Sequence, residues 1–214
     1  MEWKDKTVLV VGAGISGIGA NRLLEKKQAR VILYDGNQEL DPEKIREKLP
    51  EGSNTVIRLG KLEKQDLEEA RLAVFSPGVP VDLPLAEEIK AKGIPIWGEV
   101  ELAYECGKGD VLAVTGTNGK TTTTSLLGEI MKSWRQEVYV VGNIGSPYTE
   151  AVEHMTENAV TVAEISSFQL ETIDRFSPRV STILNITPDH LNRHHTMEEY
   201  IRVKELITCN QGKE

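Results

Sequence analysis

The sequence is short of cysteine, has no basic run and contains no long apolar run, and each absence removes a class of protein. Two cysteines in 214 residues, Cys106 and Cys209, make neither a disulfide framework nor a metal-ligand spacing. Net charge is −8, from 25 Lys and Arg against 33 Asp and Glu, with no basic cluster, which argues against a nucleic-acid partner. No apolar run could span a bilayer, and Met1 leads straight into a strand without a secretory pattern, so a cytoplasmic setting away from membranes is expected. Internal repeats and low-complexity tracts are also missing. What is left, 39% hydrophobic and 27% charged residues, suits a soluble globular chain with length for one or two domains.

The most informative stretch is Ala113-Val-Thr-Gly-Thr-Asn-Gly-Lys-Thr-Thr-Thr-Thr124. Val111 to Val114 reads as a strand and Thr121 onward as the start of a helix. Between them, Gly116 and Gly119 let backbone N–H groups turn around an anion. Lys120 adds a compact positive charge, and Thr121 offers a hydroxyl to a metal ion. The standard nucleotide loop would have glycine at position 114, where Val114 stands, so this loop is a shorter version. A Gly-rich turn with Lys120 in solvent is the bland alternative. With a strand before and a helix after, ATP-phosphate binding by Gly116, Thr117, Asn118, Gly119, Lys120, Thr121 and Thr122 is expected.

Strands and helices alternate along the whole chain. Strands are expected at Thr7 to Val11, Val31 to Tyr34, Thr55 to Leu59, Leu72 to Phe75 and Ile94 to Trp97, with helices to about Lys27 and over Leu85 to Lys92. The pattern predicts an α/β fold: a Rossmann-like parallel-sheet domain over 1–106, then part of a P-loop-type α/β domain over 107–214. Glu105 to Asp110 reads as the linker. In the second domain a helix to about Trp134, strands at Val138 to Val141, Val160 to Ile165 and Val180 to Ile186, and a terminal helix are expected.

The first domain has Gly12-Ala-Gly14-Ile-Ser-Gly17 after a strand and Asp35 at the tip of the next, the pattern of a dinucleotide turn. It predicts diphosphate binding without establishing nicotinamide; a mere tight turn is the alternative. Glu164 closes a strand and could complete a magnesium site with Thr121, or simply serve a helix N-terminus. Ser166 and Ser167 lack a nucleophile elbow and read as polar or capping residues. His190, His194 and His195 with Asp189 raise zinc, but their spacing suits solvent-facing histidines better. Asn143 lies between Gly142 and the Ile144-Gly145 pair, at a further strand tip, where an ordinary turn residue is the plain reading.

Taken in order, GAGISG, SPGV (Ser76 to Val79), TGTNGKT, GNIG, EISSFQLE and ILNITPDHLNRH resemble the Mur ligases over essentially the whole chain. The loop motif alone also fits folylpolyglutamate synthase; the SSFQLE block and the Gly-rich first turn favour the branch that adds D-glutamate. The resemblance implies ATP-dependent addition of D-glutamate to UDP-N-acetylmuramoyl-L-alanine through an acyl phosphate, for peptidoglycan precursors. It implies ATP and two Mg²⁺ ions as cofactors. Lys120, His190 and Lys204 take catalytic roles, with Thr121 and Glu164 on one Mg²⁺ and His190 and a carbamylated Lys204 serving the second. Ser16, Gly17, Asp35 and Gly78 would line the uridine diphosphate, and Asn143, Ser166, Gln169 and His190 the muramoyl part. The residue pattern alone reads Lys204, among Glu198, Glu199 and Glu205, as a solvated helix charge. Arg202 and Val203 stand where the family has small residues, and Asn192 where it commonly has Asp.

The family has a longer central domain and a third domain of about 100–150 residues. A chain of this length is therefore expected to leave a sheet edge unpaired and to bind ligands with little turnover. The other readings are a non-catalytic UDP-sugar-peptide binding module and, on Gly12, Gly14, Gly17 and Asp35 alone, an NAD-dependent oxidoreductase.

Overall fold

The computed structural model describes residues 2–212 and divides into two compact units, residues 1–102 and 103–214. In the first, β1 (Thr7–Val11), β2 (Arg30–Asp35), β3 (Val56–Leu59), β4 (Ala70–Phe75) and β5 (Ile96–Gly98) form one parallel sheet in the order β3-β2-β1-β4-β5. The run Thr-Val-Leu-Val-Val of β1 is buried throughout, as a central strand covered on both faces must be. Each fully buried aliphatic side chain there stabilises the sheet by roughly 1.5–3 kcal/mol. The helices α1 (Ile15–Lys26), α2 (Pro42–Arg46), α3 (Lys64–Glu69) and α4 (Pro84–Ala91) connect the strands. The strand order reverses at β1, whose neighbours are β2 on one side and β4 on the other. Open α/β sheets take ligands at such a reversal, beyond the carboxyl ends of the strands.

In the second unit β6 (Asp110–Thr115), β7 (Val138–Gly142), β8 (Val160–Glu164) and β9 (Val180–Ile183) are parallel in the order β7-β8-β6-β9. The long helix α6 (Lys120–Lys132) packs over β8, β7 and β6. Short helices α7 (Tyr148–Ala151), α8 (Ser167–Leu170) and α9 (Leu191–His194) and the longer α10 (Met197–Glu205) complete it. β6 lies between β8 and β9, so the loop after β6 opens at the middle of the sheet. Among the described residues β9 pairs with β6 alone, and Val180 at its start is exposed.

Several boundaries differ from expectation, β4 starting at Ala70 and β5 at Ile96 among them. The expected linker loses its first two residues to α5 (Glu99–Cys106). α6 ends at Lys132, because Ser133, Trp134 and Arg135 close a turn on the carbonyls of Ile130 and Met131. β9 stops at Ile183 instead of Ile186, because the polar groups of Asn185 and Thr187 are bonded to the loop after β6.

The turn after β1 depends on close backbone approach. A Cβ on Gly17 would lie 1.8 Å from the Gly12 carbonyl oxygen, whereas one on Gly14 meets nothing within 4 Å. Gly17→Ala is therefore expected to destabilise the chain by about 1–3 kcal/mol, while Gly14→Ala stays within ~0.5 kcal/mol. Urea unfolding of both variants checks this, and equal midpoints would remove the close approach as the reason for glycine.

Candidate functional sites

At the switch point of the first unit, Asp35 ties two strand tips together. Its Oδ2 accepts from the Ala13 N–H at 2.9 Å and its Oδ1 from the Asn37 N–H at 2.9 Å. Carboxylate oxygens have further lone pairs, so Asp35 can still accept from a ligand. The Ser76 hydroxyl donates to the Gly12 carbonyl at 3.3 Å, and a tight turn returns the Val79 N–H to Ser76, so Gly78 sits exposed beside the glycine turn. Ser16 is half-buried and Gly17 buried at the start of α1. Ile15, 79% exposed on the same turn, offers an apolar contact that the sequence reading did not single out. A cavity of about 780 Å³ opens at the opposite ends of the strands, among Thr7, Arg30, Val56, Arg58 and Asp66, and is remote from this turn in the sheet.

In the second unit the phosphate loop starts α6 with Gly119 as N-cap in the left-handed region, at φ 82°. Lys120 folds back over the loop, its ammonium donating to the carbonyls of Gly116 at 2.9 Å and Thr117 at 3.0 Å. Thr121 lies one residue on, and its hydroxyl donates to Glu164 Oε2 at 2.9 Å. Glu164 Oε1 accepts from the Asn143 amide at 2.9 Å. The carboxylate is 1% exposed and these two partners are neutral. An ionised carboxylate buried among neutral donors is costly unless a cation joins it. Hard oxygens from Thr121 and Glu164 beside a phosphate loop suit Mg²⁺. Thr121, Glu164 and Asn143 are thus brought together, although their positions span 43 residues.

Ser166 and Gln169 form a reciprocal capping box on α8: the Ser166 Oγ accepts from the Gln169 N–H, and Gln169 Oε1 from the Ser166 N–H. His190 caps α9 with φ 51°, its ring 4.8 Å from Phe168 and its Nε2 3.5 Å from Asp189. Among the described residues no three His, Cys, Asp or Glu side chains converge as a metal centre.

Two plain readings fail here. Lys204 is not a solvated charge: it is 1% exposed, its ammonium donates to the Gly116 carbonyl at 3.0 Å, and it lies 4.8 Å over the Tyr200 ring. Burial, then the nearby Lys120 charge, push its pKa down to about 8, against a smaller pull from Asp189. Nor is His194 solvent-facing. At 2% exposure, its Nε2 is 2.9 Å from the Ser167 hydroxyl and its Nδ1 3.4 Å from Glu171. Glu171 in turn receives a two-point bond from Arg193, which lies 4.9 Å over Phe168. The sequence carried a faint sign of this cluster, an acid and a base-rich helix start, but no periodicity to fold them inward.

Comparison with known proteins follows this geometry. Residues 6–98 match the Mur ligase MurD-like N-terminal domain and residues 114–214 the Mur ligase middle domain. The chain belongs to the Mur ligases. It is 56% identical to the UDP-N-acetylmuramoylalanine–D-glutamate ligase of Lachnospira eligens and 58% identical to that of Lachnoclostridium phytofermentans. Each alignment takes in 100% of this chain and 47% of the relative, so the chain spans about half the length of these curated relatives. The fold is shared with the UDP-N-acetylmuramate-alanine ligase MurC of Thermotoga maritima, at TM-score 0.54 and 22% identity over 96% of this chain and 47% of that one. The UDP-N-acetylmuramate:L-alanyl-gamma-D-glutamyl-meso-diaminopimelate ligase of Neisseria meningitides gives TM-score 0.54 at 17% identity, over 98% of this chain and 69% of that one. Among the described residues no helix is long and apolar enough to cross a membrane.

Two tests come from the histidines. His195 is held at φ 65° and ψ −45°, a conformation costly for a side-chain-bearing residue. His195→Gly is expected to be more stable than His195→Ala by about 1 kcal/mol, since both lose the ring and only glycine relieves the backbone; equal melting temperatures would remove the strain. His194 has its pKa lowered by burial first, then by Arg193, His190 and Lys204, with Glu199 opposing. The unfolded chain therefore takes up the proton first, so this stability is complete above about pH 6.5 and is lost as pH falls toward the depressed native value. His194→Gln should flatten the melting temperature against pH below about 6.5; an unchanged slope would place the acid sensitivity elsewhere.

Proposed function

We propose that this chain, within a protein of full family length, serves an ATP-dependent ligase that joins D-glutamate to UDP-N-acetylmuramoyl-L-alanine in cytoplasmic peptidoglycan precursor synthesis. The observation that carries the reading is the buried Glu164 carboxylate, held by Thr121 and Asn143 beside the Lys120 loop. That arrangement is suited to a magnesium nucleotide and has no place in hydride transfer, so the oxidoreductase alternative leaves it unexplained. The 46–58% identical relatives carry the ligase name, which supports the choice of substrate.

In the reaction, a carboxylate oxygen of the muramoyl-alanine attacks the γ-phosphorus and ADP leaves. The D-glutamate amine then attacks the acyl carbon and loses a proton, and the tetrahedral adduct expels phosphate to leave the amide. No enzyme nucleophile is required; positioning and charge neutralisation do the work. Lys120 would leave the Gly116 and Thr117 carbonyls for the β- and γ-phosphates, aided by amides at the start of α6. Thr121 and Glu164 would hold one Mg²⁺, which supplies charge neutralisation at the phosphates. His190 and Lys204 would serve a second. For that role the neutral Lys204 amine adds to CO₂, forming an N–C bond and releasing one proton to give a carbamate. A pKa near 8 makes the neutral amine accessible close to physiological pH.

In the first unit, Asp35, Ser16, Gly17 and Gly78 would bind the uridine diphosphate, and in the second Asn143, Ser166 and Gln169 the muramoyl part. Ser166 and Gln169 would have to exchange capping bonds for ligand bonds. Calorimetric titration tests the reading: UDP-N-acetylmuramoyl-L-alanine should bind saturably, NADH should not, and Asp35→Ala should weaken binding by about tenfold or more. Uptake of NADH in preference to the UDP compound would overturn it.

A further inference from the structure

We propose that Asn185 is a positioning residue for the phosphate loop, fixing its shape from the chain segment that follows β9; the inference rests on the nucleotide reading above. The side-chain amide of Asn185 pairs with both backbone groups of Asn118, accepting from its N–H at 2.9 Å and donating to its carbonyl at 3.0 Å. The Asn185 carbonyl also accepts the Thr117 N–H at 3.0 Å. Two residues on, the Thr187 N–H donates to the Thr117 hydroxyl at 3.0 Å, and that hydroxyl donates back to the Thr187 carbonyl at 3.1 Å. The Tyr200 hydroxyl, 3.1 Å away, occupies the remaining lone pair of Thr117.

These bonds change what the loop can offer. The N–H groups of Thr117 and Asn118 are committed to Asn185, so the grip on phosphate falls to Lys120 and the amides at the start of α6. A carboxamide suits position 185 because it presents one acceptor and one donor at fixed separation, matching an N–H and a carbonyl of the same residue. Aspartate would keep the acceptor and set an anionic oxygen against the Asn118 carbonyl. The segment anchored by Asn185 runs on to His190. The phosphate loop and the His190 turn are thereby joined through Asn185 and Thr187, in addition to the β6–β9 pairing.

The test is titration of the 214-residue chain and its Asn185→Ala and Asn185→Asp variants with Mg·ATP and, separately, with UDP-N-acetylmuramoyl-L-alanine. Backbone hydrogen exchange of the unsubstituted chain is measured alongside. Mg·ATP affinity is expected to fall about tenfold or more in the alanine variant and at least as far in the aspartate variant. Affinity for the UDP compound should fall less than affinity for Mg·ATP in both variants, and the Thr117 and Asn118 amides should exchange slowly. Mg·ATP affinity within about twofold of the unsubstituted chain, or equal weakening of both ligands, overturns the proposal. If a variant does not fold, rapid exchange at Thr117 and Asn118 in the unsubstituted chain overturns it and slow exchange supports it. Failure of the unsubstituted chain to bind Mg·ATP removes the nucleotide reading and the proposal with it.

Discussion

Parallel strand register is the constraint on which both candidate sites depend. In the second unit Val114 lies opposite Glu164 and Thr115 opposite Ile183, so three strands end at one level. Whatever follows those ends is collected at one edge: the phosphate loop after β6, the Glu164 carboxylate closing β8, and the Asn185 segment after β9. The first unit does the same, with Val11 opposite both Tyr34 and Phe75. That places the glycine turn, Asp35 and the Ser76 turn side by side. A one-residue slip would turn every side chain to the other face and remove Glu164 from Thr121.

The site keeps charges where water is excluded, and the fold compensates with neutral hydrogen bonds. Glu164 is met by a hydroxyl and an amide, and Lys204 by a backbone carbonyl and the face of Tyr200. The Gly116 carbonyl accepts from both Lys120 and Lys204, so two amines share one oxygen. Burial, and then the repulsion between the two amines, holds the Lys204 pKa below its ordinary value.

Local strain gathers in the same place. Among the described residues four non-glycine positions have positive φ, and two of them, His190 and His195, bracket α9, a single turn of helix. Their conformations persist because the Glu171, Arg193, His194 and Ser167 bonds hold the turn on both sides. Phe168 lies against His190, Arg193 and His194, so the short helix α8 also fixes the aromatic surface on which the His190 ring rests.

Much of this was legible in the sequence. Buried-type strands such as Thr7 to Val11, the two glycine turns, Lys120-Thr121 and the acid at Glu164 follow from periodicity, from the steric freedom of glycine and from phosphate chemistry, all local properties. The linear pattern could not reveal burial. Lys204 among glutamates and His194 in a polar stretch look solvated until α10 packs beneath the phosphate loop and α9 packs on α10 and the start of α8. Nor could it show that Asn185, an apparent strand residue, leaves the ladder to pair with Asn118. Those outcomes depend on which strands become neighbours, and residues 67 positions apart meet only after the sheet has formed. The sequence by itself determined the elements and the chemistry at their tips; tertiary structure decided which tips adjoin, which charges lose water and which polar groups are already engaged.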